Sequence, residues 1–135
     1  MFSRKVIAYS IATNQETPLV MDTFKKACEK RNCPTDLLFH SDQGMQYASY
    51  EFRKFLRKKK IRQSFSNPGC PYDNAVVESF FRTLKAEEVS RHFYATVDQL
   101  KDSIDEYIEF FNNRRPHQKL KYLTPNQVEE AYFSV

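Results

Sequence analysis

The sequence predicts an α/β domain, because segments with strand periodicity alternate with segments with helix periodicity. The opening stretch RKVIAYSIA, residues 4–12, alternates more and less apolar side chains as a strand does. The stretch LLFH, residues 37–40, is a short apolar run between turn residues, which is typical of a strand that helices cover on both faces of a parallel sheet. The stretch IRQSFS, residues 61–66, predicts another short strand.

Five helices are expected, each marked by a capping residue or by apolar residues three or four positions apart. Their predicted starts are Thr17 (followed by Pro18), Ser49, Asn74, Thr96 (with Gln99 completing a capping box) and Thr124 (with Gln127). The side chains expected to face the core are Val20, Phe24, Ala27, Cys28, Phe52, Phe55, Leu56, Val77, Phe80, Phe81, Leu84, Val97, Leu100, Ile104, Ile108 and Phe111.

Two segments lack these periodicities. NPGCPYDN, residues 67–74, contains two prolines and one of the two glycines of the chain, which predicts a mobile loop. NNRRPHQKLKYL, residues 112–123, predicts a basic connector. At 135 residues we expect one domain, with core elements over residues 1–111 and a basic connector with a short helix over residues 112–135.

Composition narrows the class of protein. Lys and Arg outnumber Asp and Glu by 21 to 17, a mildly basic balance that suits a polyanionic partner without requiring one. No apolar stretch approaches the roughly 20 residues of a membrane-spanning helix, and no secretory signal is recognised, so we expect a cytoplasmic protein without membrane association. Cys28, Cys33 and Cys70 match neither a disulfide framework nor a zinc site, and we interpret them as free thiols.

Two acidic residues are candidates for chemistry. Asp42 follows the strand LLFH, and α/β sheets bind ligands at the ends of their strands. Glu78 lies on the flank of the helix after the loop, and Lys85 returns to that flank two turns later. Ordinary alternatives remain open: Asp42 as a cap or turn residue, Glu78 in a surface salt bridge with Arg82, and the basic run of residues 53–62 as a solvated helix face.

Three motifs carry a resemblance: FHSDQG, NPGCPYDNAVVESFFRTLKAE and RPHQKLKYLTP. With them the chain resembles, from about residue 3 to residue 131, the OrfB-type bacterial insertion-sequence transposases that share the retroviral-integrase catalytic core. The resemblance implies a ribonuclease H-like fold and DNA transposition. Asp42 occupies the position of the second acidic residue of that family, Glu78 that of the third with thirty-five residues between them, and Lys85 that of a basic residue seven positions later.

The same resemblance implies roles for individual residues. Asp42 and Glu78 would be catalytic and would bind Mg²⁺ or Mn²⁺, with two ions expected in the complete family site. His40 and Ser41 would hydrogen-bond Asp42 or backbone, with a structural role for His40 an equal alternative. The residues expected to contact DNA are Lys85, Arg82, Tyr72, Asn74, Arg114, Arg115, His117 and Lys119. For Tyr72 and Asn74, packing within the loop is an equal alternative.

One family position has no counterpart in the sequence. The family carries its first catalytic Asp on the first strand of the core, and a second strand separates it from a segment like SRKVIAYSIA, which here starts at Ser3. We therefore expect an incomplete ribonuclease H-like core lacking the first two strands, a fragment with little or no strand transfer alone, acting on DNA with a full-length transposase or further copies. Alternatives are a noncatalytic DNA-binding protein that inhibits transposition, or a ribonuclease H-like nuclease.

Overall fold

The computed structural model describes residues 2–135 and has a mixed α/β architecture. Its main elements are α1 (Thr17–Lys30), β1 (Leu38–Ser41), α2 (Met45–Ala48), α3 (Tyr50–Lys58), β2 (Arg62–Phe65), α4 (Ala75–Glu87), α5 (Val97–Asn113) and α6 (Pro125–Phe133). Short 3-10 helices occupy Pro71–Asn74, Val89–Arg91 and Gln118–Leu120. The described residues form two compact units, which we call the sheet unit (residues 7–75) and the helix unit (residues 2–6 and 76–135).

The sheet unit contains β1 and β2, which pair in parallel as predicted, with Leu38 opposite Arg62 and Ser41 opposite Phe65. The expectation that β1 is covered on both faces is wrong, since Leu38 is 53% exposed. The helices of this unit cover one face of the strand, where Phe39 contacts the rings of Phe24 and Phe52. The face of the sheet that carries Leu38 is therefore only partly covered.

The core of the sheet unit joins α1 and α3. Buried side chains from the two helices meet edge to face, and the Phe24 and Phe52 ring centroids lie 6.1 Å apart. Phe52 and Leu56 are 0% and 1% exposed, as the spacing of apolar residues predicts. Burial raises the pKa of the Cys28 thiol to about 11. All three cysteines are free, as predicted.

The prediction of a strand over residues 4–12 is wrong, because none of these residues belongs to a strand. A β-strand is defined by pairing, and alternation of side chains indicates only that a segment could pair. In this segment a side chain takes the place of a partner strand at one residue. The Val6 N–H donates to Oδ1 of Asn112 at 3.0 Å, and Nδ2 of Asn112 donates to the Val6 carbonyl at 2.9 Å.

The helix unit is held together by α4, α5 and α6. Leu84 of α4 packs against Tyr107 and Phe111 of α5 in a buried cluster. Three predicted core positions are wrong, since Val77, Phe81 and Val97 are 40%, 52% and 56% exposed. The periodicity identifies the apolar face of each helix, but the described neighbours cover only part of that face.

The helix starts follow local capping chemistry. Ser49 and Thr96 accept the backbone N–H three residues later, and Thr124 forms a complete capping box with Gln127. Two details differ from expectation. Glu16 rather than Thr17 precedes the first turn of α1, and the Gln99 side chain accepts the N–H of residue 95 instead of that of Thr96.

None of the helices in residues 2–135 combines the length and the apolar character needed to cross a bilayer.

Candidate metal and nucleic-acid site

Asp42 lies directly after β1 in the sheet unit, and its side chain is exposed. Oδ1 of Asp42 accepts the backbone N–H of Gly44 at 2.9 Å, which closes a tight turn. Helix α2 begins after Gly44 and has no side-chain cap, so Asp42 is a turn residue and not a helix cap. Oδ2 of Asp42 accepts no hydrogen bond within residues 2–135, and this oxygen is free for a ligand.

Gly44 leaves the space in which the Asp42 carboxylate sits. A Cβ at this position would lie 3.0 Å from Oδ1 of Asp42 and 3.1 Å from Oε1 of Gln46. Gly44 therefore positions the carboxylate both by its N–H and by its lack of a side chain. The signal for this role in the sequence is the glycine two residues after Asp42, which the motif alone does not explain.

The negative charge of Asp42 acts on a neighbouring ring. Burial, and then the charge of Asp42, raise the pKa of Tyr47. Tyr47 packs against Phe39 and Phe52, so the turn that carries Asp42 is anchored on the core of the sheet unit.

His40 has a structural role and does not bond Asp42. Its Nε2 lies 3.0 Å from the carbonyl of Asp73, which can only accept, so Nε2 carries the proton. Nδ1 then accepts the Ser64 hydroxyl at 3.0 Å. Ser41 donates to the backbone carbonyl of Asp42 at 2.8 Å, one of the two partners predicted for it. His40 thus ties β1 to β2 and to the loop that follows.

The loop over residues 67–74 is closed by its own acidic residue. Oδ2 of Asp73 accepts the Asn67 N–H at 3.0 Å, and the last four residues form a 3-10 helix. Tyr72 is 91% exposed at the tip, whereas Asn74 is half-buried. The composition of this segment predicts only a mobile loop and does not indicate the closing role of Asp73.

The helix unit carries the second candidate carboxylate on α4. Glu78, Arg82 and Lys85 are exposed and follow one another at helical spacings of four and three residues. No ion pair within 4 Å joins Glu78 and Arg82, so the salt-bridge alternative is not formed in the described structure. Glu78 is available to a ligand, and the two cations are available to phosphate.

The connector after α5 divides into exposed and engaged side chains. Arg114 and Lys119 are exposed, as a phosphate contact requires. Arg115 instead holds Glu87 with two hydrogen bonds of 2.6 and 2.8 Å, and this contact, before any other, lowers the pKa of Glu87. His117 is 7% exposed, and its Nε2 donates to the Phe111 carbonyl at 3.2 Å. Burial lowers the pKa of His117.

The candidate residues fall into two sets. Asp42, Tyr72 and Asn74 belong to the sheet unit, whereas Glu78 and the remaining predicted contacts belong to the helix unit. Asp42 and Glu78 each offer carboxylate oxygens, which Mg²⁺ and Mn²⁺ prefer, so each fits as a metal ligand. Among residues 2–135 no three His, Cys, Asp or Glu side chains cluster in a way that could hold an ion. A site shared by the two carboxylates stays a prediction.

Comparison with known proteins identifies the family. Two models described as integrase core domain match residues 1–71 and 59–125. The transposase of insertion sequence element IS904 from Lactococcus lactis is 37% identical over 96% of this chain and 52% of its own length. The InsK protein of insertion sequence element IS150 from Escherichia coli is 40% identical over 93% of this chain and 44% of its own length.

A Lactococcus lactis protein named as an ATP-dependent protease is 49% identical over 72% of this chain, which corresponds to 32% of that protein. The chain thus spans about half the length, or less, of the curated relatives it matches. The matched models together run from residue 1 to residue 125 and so cover the segments that contain Asp42 and Glu78. The chain belongs to the integrase core domain family and is similar to insertion-sequence transposases.

Proposed function

We propose that this chain acts in metal-dependent DNA transposition, as part of a ribonuclease H-like catalytic core in which Asp42 and Glu78 are metal ligands. The observation that carries the proposal is the state of Asp42: an exposed carboxylate at a strand end, held by the N–H of Gly44 through one oxygen, with the other oxygen free. Such a carboxylate is oriented before a ligand arrives, so less entropy is lost on binding.

Cutting and rejoining a phosphodiester requires an activated attacking oxygen and compensation of charge on the phosphate and the leaving oxygen. Divalent ions held by carboxylates supply this chemistry when bound. In this reaction the role of the chain is to provide Asp42 and Glu78 as metal ligands. Arg82 and Lys85 lie on the same helix face as Glu78 and would bind the phosphates of the DNA next to it.

Further DNA contacts are proposed for the exposed side chains. Tyr72 offers a ring at the tip of its loop, with Asn74 beside it, and Arg114 and Lys119 offer charge after α5. Arg115 and His117 act on the DNA only through the connector that they stabilise, since their side chains are engaged with Glu87 and Phe111. A full-length transposase or a second copy of the chain would complete the assembly.

The test is Mn²⁺ binding by the purified chain, followed through the electron paramagnetic resonance signal of free Mn²⁺. Asp42→Asn and Glu78→Gln keep the shape of each side chain and remove its charge, so each should weaken Mn²⁺ binding. Asp36→Asn and Asp102→Asn are matched controls at exposed carboxylates in the same two units and should bind as the unchanged chain does. Equal Mn²⁺ affinity in all five proteins would refute the metal site.

A second measurement separates catalysis from binding. The chain is incubated with labelled DNA carrying an insertion-sequence end and with Mg²⁺ or Mn²⁺, and joined products are counted. Any joining should depend on the metal ion and be lost in both Asp42→Asn and Glu78→Gln. Joining that persists in these variants would contradict the catalytic roles, and DNA binding without metal binding would favour the noncatalytic alternative.

A further inference from the structure

One surface of the sheet unit is far more basic than the rest of the chain. Between Glu51 and Arg62 there are seven cations and one carboxylate, a net charge of +6, whereas the whole chain carries +4. All seven side chains are exposed. We call them the α3 basic face: Arg53, Lys54, Arg57, Lys58, Lys59, Lys60 and Arg62.

Helix α3, which carries the first four residues of this face, is fixed in place from its other side. Phe52 and Leu56 are 0% and 1% exposed in the core, and Ser49 caps the first turn. Because the buried positions fix the rotation of α3, its cations are directed to solvent by the fold itself. Within residues 2–135 none of the seven forms an ion pair with a carboxylate.

A face that serves only solubility usually mixes the two signs of charge. Helix α1 does so, with Asp22 and Glu29 among its lysines, and Lys25 pairs with Asp22 at 3.5 Å. No carboxylate among the described residues pairs with the cations of the α3 basic face, so their like charges repel one another. A dense anion placed against it would remove that repulsion and release the counterions of both partners.

We propose that the α3 basic face binds the phosphate backbone of duplex DNA without regard to sequence, through side chains other than Asp42 and the cations of α4. The dimensions agree: Arg53 to Lys58 spans about 7.5 Å along α3, and duplex DNA presents about four charges over that length. The proposal rests on the proposed function only for the choice of DNA as the anion, since the charge and its exposure stand alone.

The test is binding of a fluorescent duplex of about 20 base pairs and arbitrary sequence, measured by anisotropy over a series of salt concentrations. The test variant carries Arg53→Gln, Lys54→Gln, Arg57→Gln and Lys58→Gln. Gln keeps helix propensity and leaves Phe52 and Leu56 untouched, and circular dichroism checks the fold. The control variant removes the same charge elsewhere, through Lys25→Gln, Lys26→Gln, Lys30→Gln and Lys101→Gln.

We expect the test variant to lose about tenfold or more in affinity and to reduce the slope of log K against log salt by about 3 to 4. The control variant should keep a slope close to that of the unchanged chain. Equal losses in the two variants would assign the effect to net charge, and an unchanged test variant would show a merely solvated face; either result overturns the proposal.

The outcome is independent of the metal site. The test variant should bind Mn²⁺ as the unchanged chain does, because all four substitutions lie on α3. Asp42→Asn should keep the full salt slope for duplex DNA. Loss of one property without the other therefore shows which of the two proposals has failed.

Discussion

Gly44 donates its backbone N–H to Oδ1 of Asp42 at 2.9 Å, and a Cβ at Gly44 would lie 3.0 Å from that same oxygen. In Gly44→Ala the backbone can stay as it is, because the φ of −53° suits alanine. The exposed carboxylate is the group that moves. We expect Mn²⁺ affinity to fall several-fold, while the free energy of unfolding changes by about 1 kcal/mol at most.

Gly69→Ala is the control for that prediction. Its φ is +75°, where an added side chain is strained, but nothing lies within 4 Å of the added Cβ. This variant should lose about 1 kcal/mol of stability and keep its Mn²⁺ affinity. If both glycine variants lost Mn²⁺ affinity alike, the effect would come from the fold and not from the contact with Asp42.

The helix starts predicted correctly are those fixed by neighbours along the chain. Ser49, Thr96 and Thr124 each satisfy an N–H three residues away, so a short stretch of sequence contains both partners. Residues 4–12 failed as a strand because pairing depends on a distant segment. Phe81 failed as a core residue because periodicity does not specify how much of a helix face is covered.

In the candidate site, too, contacts between sequence neighbours could be predicted and contacts between distant residues could not. Asp42 is a candidate because a carboxylate after a short apolar run is visible in the sequence, and its turn hydrogen bond is local. The structural role of His40 was an open alternative, but its partners Ser64 and Asp73 lie 24 and 33 residues away and could not be named. Arg115 is expected to contact DNA because it belongs to the basic connector, and its actual partner Glu87, 28 residues earlier, cannot be identified from local sequence.

Phe52→Ala tests the core of the sheet unit. The ring is 0% exposed and contacts the rings of Phe24, Phe39 and Tyr47. Its removal leaves a cavity among aromatic neighbours, and we expect a loss of about 3–5 kcal/mol in urea unfolding followed by circular dichroism. Phe93→Ala, at a side chain 93% exposed, is the control and should change stability by about 0.5 kcal/mol or less. Similar losses in the two variants would contradict the packing described.

The stability of the helix unit should fall as the pH falls. The pKa of His117 is lowered, so the folded state binds its proton less readily than the unfolded state does. This contribution to stability is present above the unfolded pKa of about 6.5 and is lost below it. The pKa of Glu87 is also lowered, mainly by its hydrogen bonds from Arg115, and that contribution is lost in turn below about pH 4.3.

Urea unfolding at about pH 7.5 and about pH 5.5 measures the contribution of His117 to stability without that of Glu87. At both pH values Glu87 is charged in the folded and in the unfolded state. The unchanged chain should be less stable at the lower pH, and His117→Gln should show a smaller difference between the two. The opposite result, an equal or larger difference in His117→Gln, would exclude the buried imidazole as the cause.

Asn112 connects the start of the helix unit to α5 through two hydrogen bonds with one residue, Val6. The side chain is 8% exposed, so water cannot readily replace it. Asn112→Leu leaves the Val6 N–H and carbonyl unpaired, and we expect a loss of about 2 kcal/mol. Asn112→Asp keeps the acceptor but sets a carboxylate oxygen against the Val6 carbonyl, so its loss should be at least as large.

Amide hydrogen exchange measures this link directly. The Val6 amide should be protected in the unchanged chain and exchange rapidly in Asn112→Leu, while amides inside α5 keep their protection because the helix retains its own hydrogen bonds. Asn113→Ala changes the next, exposed position and should leave Val6 protected. If Val6 and the α5 amides lost protection together in Asn112→Leu, the variant would be unfolding as a whole. The Asn112 side chain would then support the entire unit and not the opening segment alone.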